Sequence, residues 1–100
     1  MSAYAAVAEP HRRQILDLLR EGERSVNDLV ANLRLSQPGV SKHLRVLREA
    51  GLVDVRVDGR WRWYGLRPQP LAEVDEWLAP YREFWAERLD ALERHLNENP

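Results

Sequence analysis

The chain has 100 residues, 44% hydrophobic and 31% charged, which suits one globular domain over 1–100 rather than a disordered or membrane-spanning polypeptide. No apolar run approaches the ~18 residues of a membrane helix, and residues 1–9 lack the apolar centre of a secretory leader, so no membrane partner is expected. There is no cysteine, which excludes disulfides, thiolate metal sites and a cysteine nucleophile, and suits a reducing cytoplasm.

In chain order, Ser2–Ala8 is alanine-rich and reads as a short helix over 1–8. Pro10 fits the first position of a second helix, where its missing N–H would have no partner anyway. Ile15, Leu16, Leu18 and Leu19 supply the apolar face of that helix, and Gly22 its stop. Ser25 with Asp28 resembles a capping box and opens a short helix through Leu29, Val30 and Leu33. Arg34 and Leu35 leave room only for a tight turn. Ser36 then caps a helix over 36–50, with Pro38 in its first turn and Gly51 ending it. Two short helices joined by a tight turn, the second one basic, form a helix-turn-helix candidate.

After Gly51 the pattern alternates. Val53, Val55 and Val57, then Trp61 and Trp63, predict a hairpin over 53–65 around Asp58-Gly59. A two-residue loop at Asp58-Gly59 would put the tryptophans on the arginine face. A three-residue loop, Val57-Asp58-Gly59, pairs Val55 with Trp61, Val53 with Trp63 and Asp54 with Arg62, giving one apolar and one charged face. The second register is expected, with Arg56, Arg60 and Arg62 sharing the charged face.

Pro68 and Pro70 close the hairpin. From 71 to 96 a helical seam follows: Leu71, Val74, Leu78, Tyr81, Trp85, Leu89, Leu92 and Leu96, broadened by Trp77 and Phe84. Pro80 removes an internal hydrogen bond, so a kink or break is expected near Ala79. Disorder is expected only in Asn97–Pro100.

The formal net charge of −1 argues, taken alone, against a nucleic-acid partner. The charge is segregated, however. Residues 34–67 hold eight basic side chains against three acidic ones, net +5, and the remainder is net −6. A basic centre between acidic flanks gives one face a positive field. At about 100° per residue, Val40, Leu44 and Leu47 gather on one side of helix 36–50. Ser41, Lys42 and Arg45 face the other way. Arg and Lys donate to guanine, Gln37 matches adenine, and Ser reaches bases or phosphate, so these groups suit the major groove. A basic hairpin directly after them makes the whole a winged helix. The DNA-facing set is therefore Ser36, Gln37, Ser41, Lys42, Arg45, Arg56, Arg60 and Arg62, and the partner is double-stranded DNA.

The segment SQPGVSKHLRVLREAGLVDVRVDGRWRWYGL, residues 36–66, resembles the helix-turn-helix and wing of ArsR-type bacterial transcriptional repressors, and the likeness extends through the flanking helices. The resemblance rests on the Val40-Ser41-Lys42-His43-Leu44 run, the Leu47 and Ala50-Gly51-Leu52-Val53 spacing, and the Gly59-Arg60 wing tip. It implies a mainly α fold with a small β-hairpin in the order α-α-α-α-β-β-α, a dimer, and repression of the protein's own promoter or a neighbour's. It also implies Gln37, Ser41, Lys42 and Arg45 as groove contacts and Arg60 at the wing tip. Metal-sensing members carry a cysteine pair where this chain reads Ser25-Val26-Asn27-Asp28-Leu29. Others carry histidine and carboxylate pairs in the last helix, which Asp75-Glu76-Trp77 and His95-Leu96-Asn97-Glu98 do not reproduce. With His11, His43 and His95 on three separate elements, neither a metal site nor a cofactor is expected, and the inducing signal is left open.

The final helix carries more apolar surface than a core of this size can hide. An isologous homodimer through helices 1–8 and 71–96 is expected, using Tyr4, Val7, Trp77, Tyr81, Phe84, Trp85, Leu89 and Leu92 and binding an inverted-repeat operator. Alternatively, Pro80 folds the last segment back onto its own subunit. The aromatic group Trp77, Tyr81, Phe84 and Trp85 could instead line a pocket for an organic ligand. A protein–protein module that kept the winged fold is a further alternative, favoured by the net charge. An enzyme is not expected, since there is no Gly-rich phosphate loop and no His-Glu metal motif.

Overall fold

Seven elements follow one another in the computed structural model, which describes residues 1–98: α1 (Ala3–Val7), α2 (Pro10–Arg20), α3 (Val26–Leu33), α4 (Gln37–Glu49), β1 (Val53–Asp58), β2 (Trp61–Leu66) and α5 (Leu71–Glu98). The order α-α-α-α-β-β-α is the one expected. Among the described residues, no helix is long and apolar enough to cross a membrane.

Local hydrogen bonds set the starts of the first four helices. Oxygens of Ser2, Glu9, Ser25 and Ser36 accept from the backbone N–H groups of Ala5, Arg12, Asp28 and Gly39 at 3.2, 3.0, 3.2 and 3.1 Å. Each satisfies one donor that the helix leaves open, an effect of about 1 kcal/mol. α4 ends in a Schellman motif: Gly51 N–H donates to Arg48 O at 3.0 Å and Leu52 N–H to Leu47 O at 2.9 Å. Gly51 has φ +76°, and Leu47 and Leu52 are both fully buried, the apolar contact that accompanies such a stop. Between α3 and α4, Arg34 takes the left-handed conformation (φ 56°), so the turn is as tight as Arg34-Leu35 suggested.

The core lies between Ala3 and Tyr64. Ile15, Leu29, Val40, Leu44, Leu47 and Leu52 form its centre, closed by Leu16 and Leu19 of α2, Val53 of β1 and Tyr64 of β2. α1 packs into it through Ala3 and Ala6. The two arginines that open α2 fasten α1 from its C-terminal end. Arg12 Nε donates to Ala6 O at 2.6 Å and Arg13 Nη1 to Val7 O at 2.7 Å, so cations cover the carbonyls the short helix leaves unpaired.

The hairpin differs from the expected register. β1 and β2 pair Val53 with Leu66, Val55 with Tyr64, Arg56 with Trp63 and Asp58 with Trp61, so the loop is the two-residue Gly59-Arg60. Gly59, with φ +59°, occupies the first central position of the turn, where a mirror-image hairpin turn needs glycine. The alternation Tyr64, Leu66 competes with Trp61, Trp63 for the core face, and a tertiary contact decides it. Tyr64 exchanges two backbone hydrogen bonds with Arg24, at 2.8 and 3.0 Å, which seats Tyr64 in the core. Trp61 and Trp63 are turned to the opposite face, where they stack on each other at 5.8 Å. The same shift separates Arg56 and Arg62 onto opposite faces of the hairpin.

α5 is not broken near Ala79. It runs unbroken from Leu71 to Glu98 with Pro80 inside it, and buries no residue completely. Pro80 is exposed, so the carbonyl it leaves without an N–H partner faces water at little cost. The segment after it does not fold back onto its own subunit. Asn97 and Glu98 are helical rather than disordered, while Asn99 and Pro100 lie outside the described residues.

Candidate nucleic-acid interface

α4 presents two chemically opposed sides, as its sequence wheel requires. Val40, Leu44 and Leu47 are buried, whereas Gln37, Ser41, Lys42, Arg45, Arg48 and Glu49 are exposed. Ser36 is exposed as well, but its Oγ is the cap acceptor that fixes the first turn. An open groove of about 530 Å³ runs between α4 and the hairpin, lined by Ser41, Leu44, Arg45, Arg48, Glu49, Arg62 and Tyr64. Arg62 thus stands across the groove from Ser41 and Arg45. A second concavity brings Gln37 of α4 together with Arg60, Trp61 and Arg62 of the hairpin and Ser25, Val26 and Asn27 at the start of α3. Seven of the eight residues expected to face DNA therefore sit on or beside α4 and the hairpin tip.

Arg56 does not. Its guanidinium holds Glu23 through Nη2–Oε1 and Nε–Oε2 contacts of 3.2 and 3.3 Å, with Asp58 at 3.8 Å. The hydrogen bonds it donates to Glu23, with the charge of that carboxylate, raise its pKa above the ordinary value. Arg24 is engaged likewise, with Asp28 at 2.6 Å and Glu21 at 2.8 Å, and Arg67 holds Asp54 at 2.6 Å. Among the described residues, the side chains of Lys42, Arg45, Arg48, Arg60 and Arg62 make no hydrogen bond or ion pair with the protein. Arg24, Arg56 and Arg67 thus brace the fold, while the cations of α4 and the hairpin tip are left free. No sequence signal marked this division, because Glu23 lies 33 residues from Arg56.

The residues expected in a dimer interface divide too. Val7 is half-buried against the core of its own chain. Tyr4 packs edge-to-face on Trp77 at 6.1 Å, and its hydroxyl donates to Glu73 O at 3.0 Å. Tyr4 therefore ties α5 to α1, a role within the chain that its sequence context did not reveal. Tyr81, Phe84, Trp85, Leu89 and Leu92 continue along α5 as an exposed apolar row, with Trp77 and Tyr81 5.2 Å apart. Arg88 covers the Phe84 ring at 4.8 Å.

The three histidines lie on α2, α4 and α5, three separate elements as expected, but two of them meet in space. His11 of α2 and His43 of α4 stand with ring centroids 5.8 Å apart, and Glu9 joins them.

Helix-turn-helix and hairpin together place the chain among winged-helix, DNA-binding transcriptional regulators rather than enzymes. Comparison with known proteins narrows the class. Residues 9–55 match the family model described as bacterial regulatory protein, arsR family. The arsenical resistance operon repressor of Escherichia coli (strain K12) is 38% identical over 98 residues, covering 93% of this chain and 80% of that protein. The transcriptional repressor SdpR of Bacillus subtilis (strain 168) is 30% identical over 77 residues, covering 77% of this chain and 86% of that protein. A crystal structure of a possible transcriptional regulator for arsenical resistance superposes with a TM-score of 0.68 at 46% identity, covering 91% of this chain and 92% of that one. The chain belongs to the ArsR family of regulatory proteins.

Proposed function

We propose that the protein is a homodimeric repressor of the cytoplasm, whose single domain over 1–100 binds an inverted-repeat operator. α4 enters the major groove, with Gln37, Ser41, Lys42 and Arg45 at base edges and Ser36 fixing the approach of its first turn. Arg60 at the hairpin tip, with Arg62 behind it, reaches the phosphate backbone. The observation that carries this reading is the set of unpaired cations on α4 and the hairpin tip around their shared groove, while Arg24, Arg56 and Arg67 nearby are held by carboxylates. A surface salted with neutralised arginines would bind phosphate poorly; this one keeps its donors free.

The dimer part of the proposal rests on α5. Trp85, Leu89 and Leu92 are 50, 65 and 53% exposed, on a helix none of whose described residues is buried. A continuous row of that kind is an association surface, and a two-fold copy of itself is its simplest cover. Two half-sites about one helical turn (~34–36 Å) apart then follow from the symmetry.

Hydroxyl-radical footprinting on the DNA upstream of the protein's own coding sequence tests this. Two protected major-groove segments on one face of the duplex, related by an inverted repeat, are expected. A single protected segment, or none above that on random DNA, would refute the operator geometry.

A further inference from the structure

The first turn of α2 and the middle of α4 meet at Glu9, His11 and His43, which the DNA-facing surface leaves without a task. One ligand-type atom from each residue lies within 4.8 Å of the other two. His11 Nδ1 is 3.0 Å from Glu9 Oε1, and His43 Nδ1 is 3.8 Å from Glu9 Oε2. Two atoms bound tetrahedrally to one zinc ion at ~2.0–2.1 Å lie about 3.4 Å apart, so each histidine nitrogen stands near that spacing from one oxygen of the Glu9 carboxylate. The adjustment needed is small, and the side chains that must make it have room: His11 is 46% exposed and Glu9 31%.

His43 supplies an independent reason. Its Nδ1 is sealed from water and has no hydrogen-bond partner, a condition native interiors rarely tolerate without a purpose. The Glu9 carboxylate at 3.8 Å is too far to satisfy it by hydrogen bonding. The Arg12 guanidinium is turned away, onto Ala5 O and Ala6 O. Glu9 is also held in place by its cap bond to Arg12 N–H, which orients it before any ion arrives.

We propose that Glu9, His11 and His43 form a site for a divalent first-row transition metal, Zn²⁺ foremost, with water in the remaining position. Two imidazoles and one carboxylate suit such ions and offer nothing to soft, thiol-seeking ones. The site lies on neither the Ser25–Leu29 segment nor α5, and it joins the start of α2 to the helix that carries Lys42 and Arg45. An ion there would brace α4 against α2.

The test uses the full chain with ZnCl₂ and CoCl₂ as probes. Zinc competition against a chromophoric chelator should give one equivalent bound with micromolar or tighter affinity. Cobalt should show the visible absorption of a tetrahedral or five-coordinate N/O site. His11→Ala, at an exposed position, should weaken binding about a hundredfold, and Glu9→Gln, which keeps a cap acceptor, by about tenfold or more, both with unchanged circular dichroism. His95→Ala should bind as the parent does. No saturable binding at high micromolar zinc overturns the proposal. So does parent-like affinity in His11→Ala, or a loss in His95→Ala as large as that in His11→Ala.

Discussion

Residues 3–66 and the helix that follows them solve the burial problem in opposite ways. The first part closes a core of aliphatic side chains around Leu44 and Leu47 and fastens it with caps, the Arg12 and Arg13 bonds to α1, and the Arg24–Tyr64 bridge. α5 is 28 residues long, about 42 Å at the usual rise, and none of its side chains is completely buried. It leans on α1 through Tyr4 and Trp77, then leaves the body and makes the molecule 63 Å long against 26 and 20 Å. The contrast teaches that the buried core and the exposed apolar surface are divided along the chain. The winged part holds itself together; the apolar row of α5 stays uncovered, and a second copy is the cover proposed for it.

The sharpest way to break that division is to charge the row. Trp85→Glu with Leu89→Glu should leave a folded monomer by sedimentation, and operator affinity should fall by ~10²–10⁴, because the second half-site no longer binds as part of the same molecule. A double variant that still sediments as a dimer would place the association surface elsewhere. Inside the winged part, Leu47→Ala should cost ~2–5 kcal/mol in urea unfolding, since Leu47 is fully buried in the core and also closes the end of α4. A loss below about 1 kcal/mol would mean that this core is less well packed than it looks.

Arg45→Ala refines the comparison without touching either packing surface. Operator binding should weaken by ~1–3 kcal/mol while the melting temperature stays put, as measured by fluorescence anisotropy and calorimetry. The smallest effect separates the free arginines from the engaged ones. Arg60→Ala should reduce the slope of log affinity against log salt by about one unit. Arg56→Ala should leave that slope alone, because Glu23 already holds its guanidinium. Equal slopes for the two variants would show that the ion pairs on the hairpin do not partition its charge.

What the sequence disclosed and what it hid follow from the range of the interactions. Ser25, Ser36 and Gly51 were legible as helix ends because each acts within three to five residues, through bonds such as Ser36 with Gly39 and Leu52 with Leu47. The outward face of α4 was legible because Val40, Leu44 and Leu47 fix its opposite. The hairpin register was not. Both alternations offer an apolar face, and Tyr64 wins through Arg24, 40 positions away in the chain. Pro80 suggested an interruption because a proline's cost is read as if the helix were buried, and here its open carbonyl meets water. His11 and His43 meet only because α2 crosses α4, which no local pattern announces.

The most direct test of the central claim, that free cations around the α4–hairpin groove bind operator DNA for a two-fold pair of chains, is an affinity titration of the parent on its upstream DNA across a range of salt. The expected result is two chains per site and a steep linear fall of log affinity with log salt, whose slope reflects several phosphate contacts. Binding that ignores salt, or one chain per site at saturation, would contradict it.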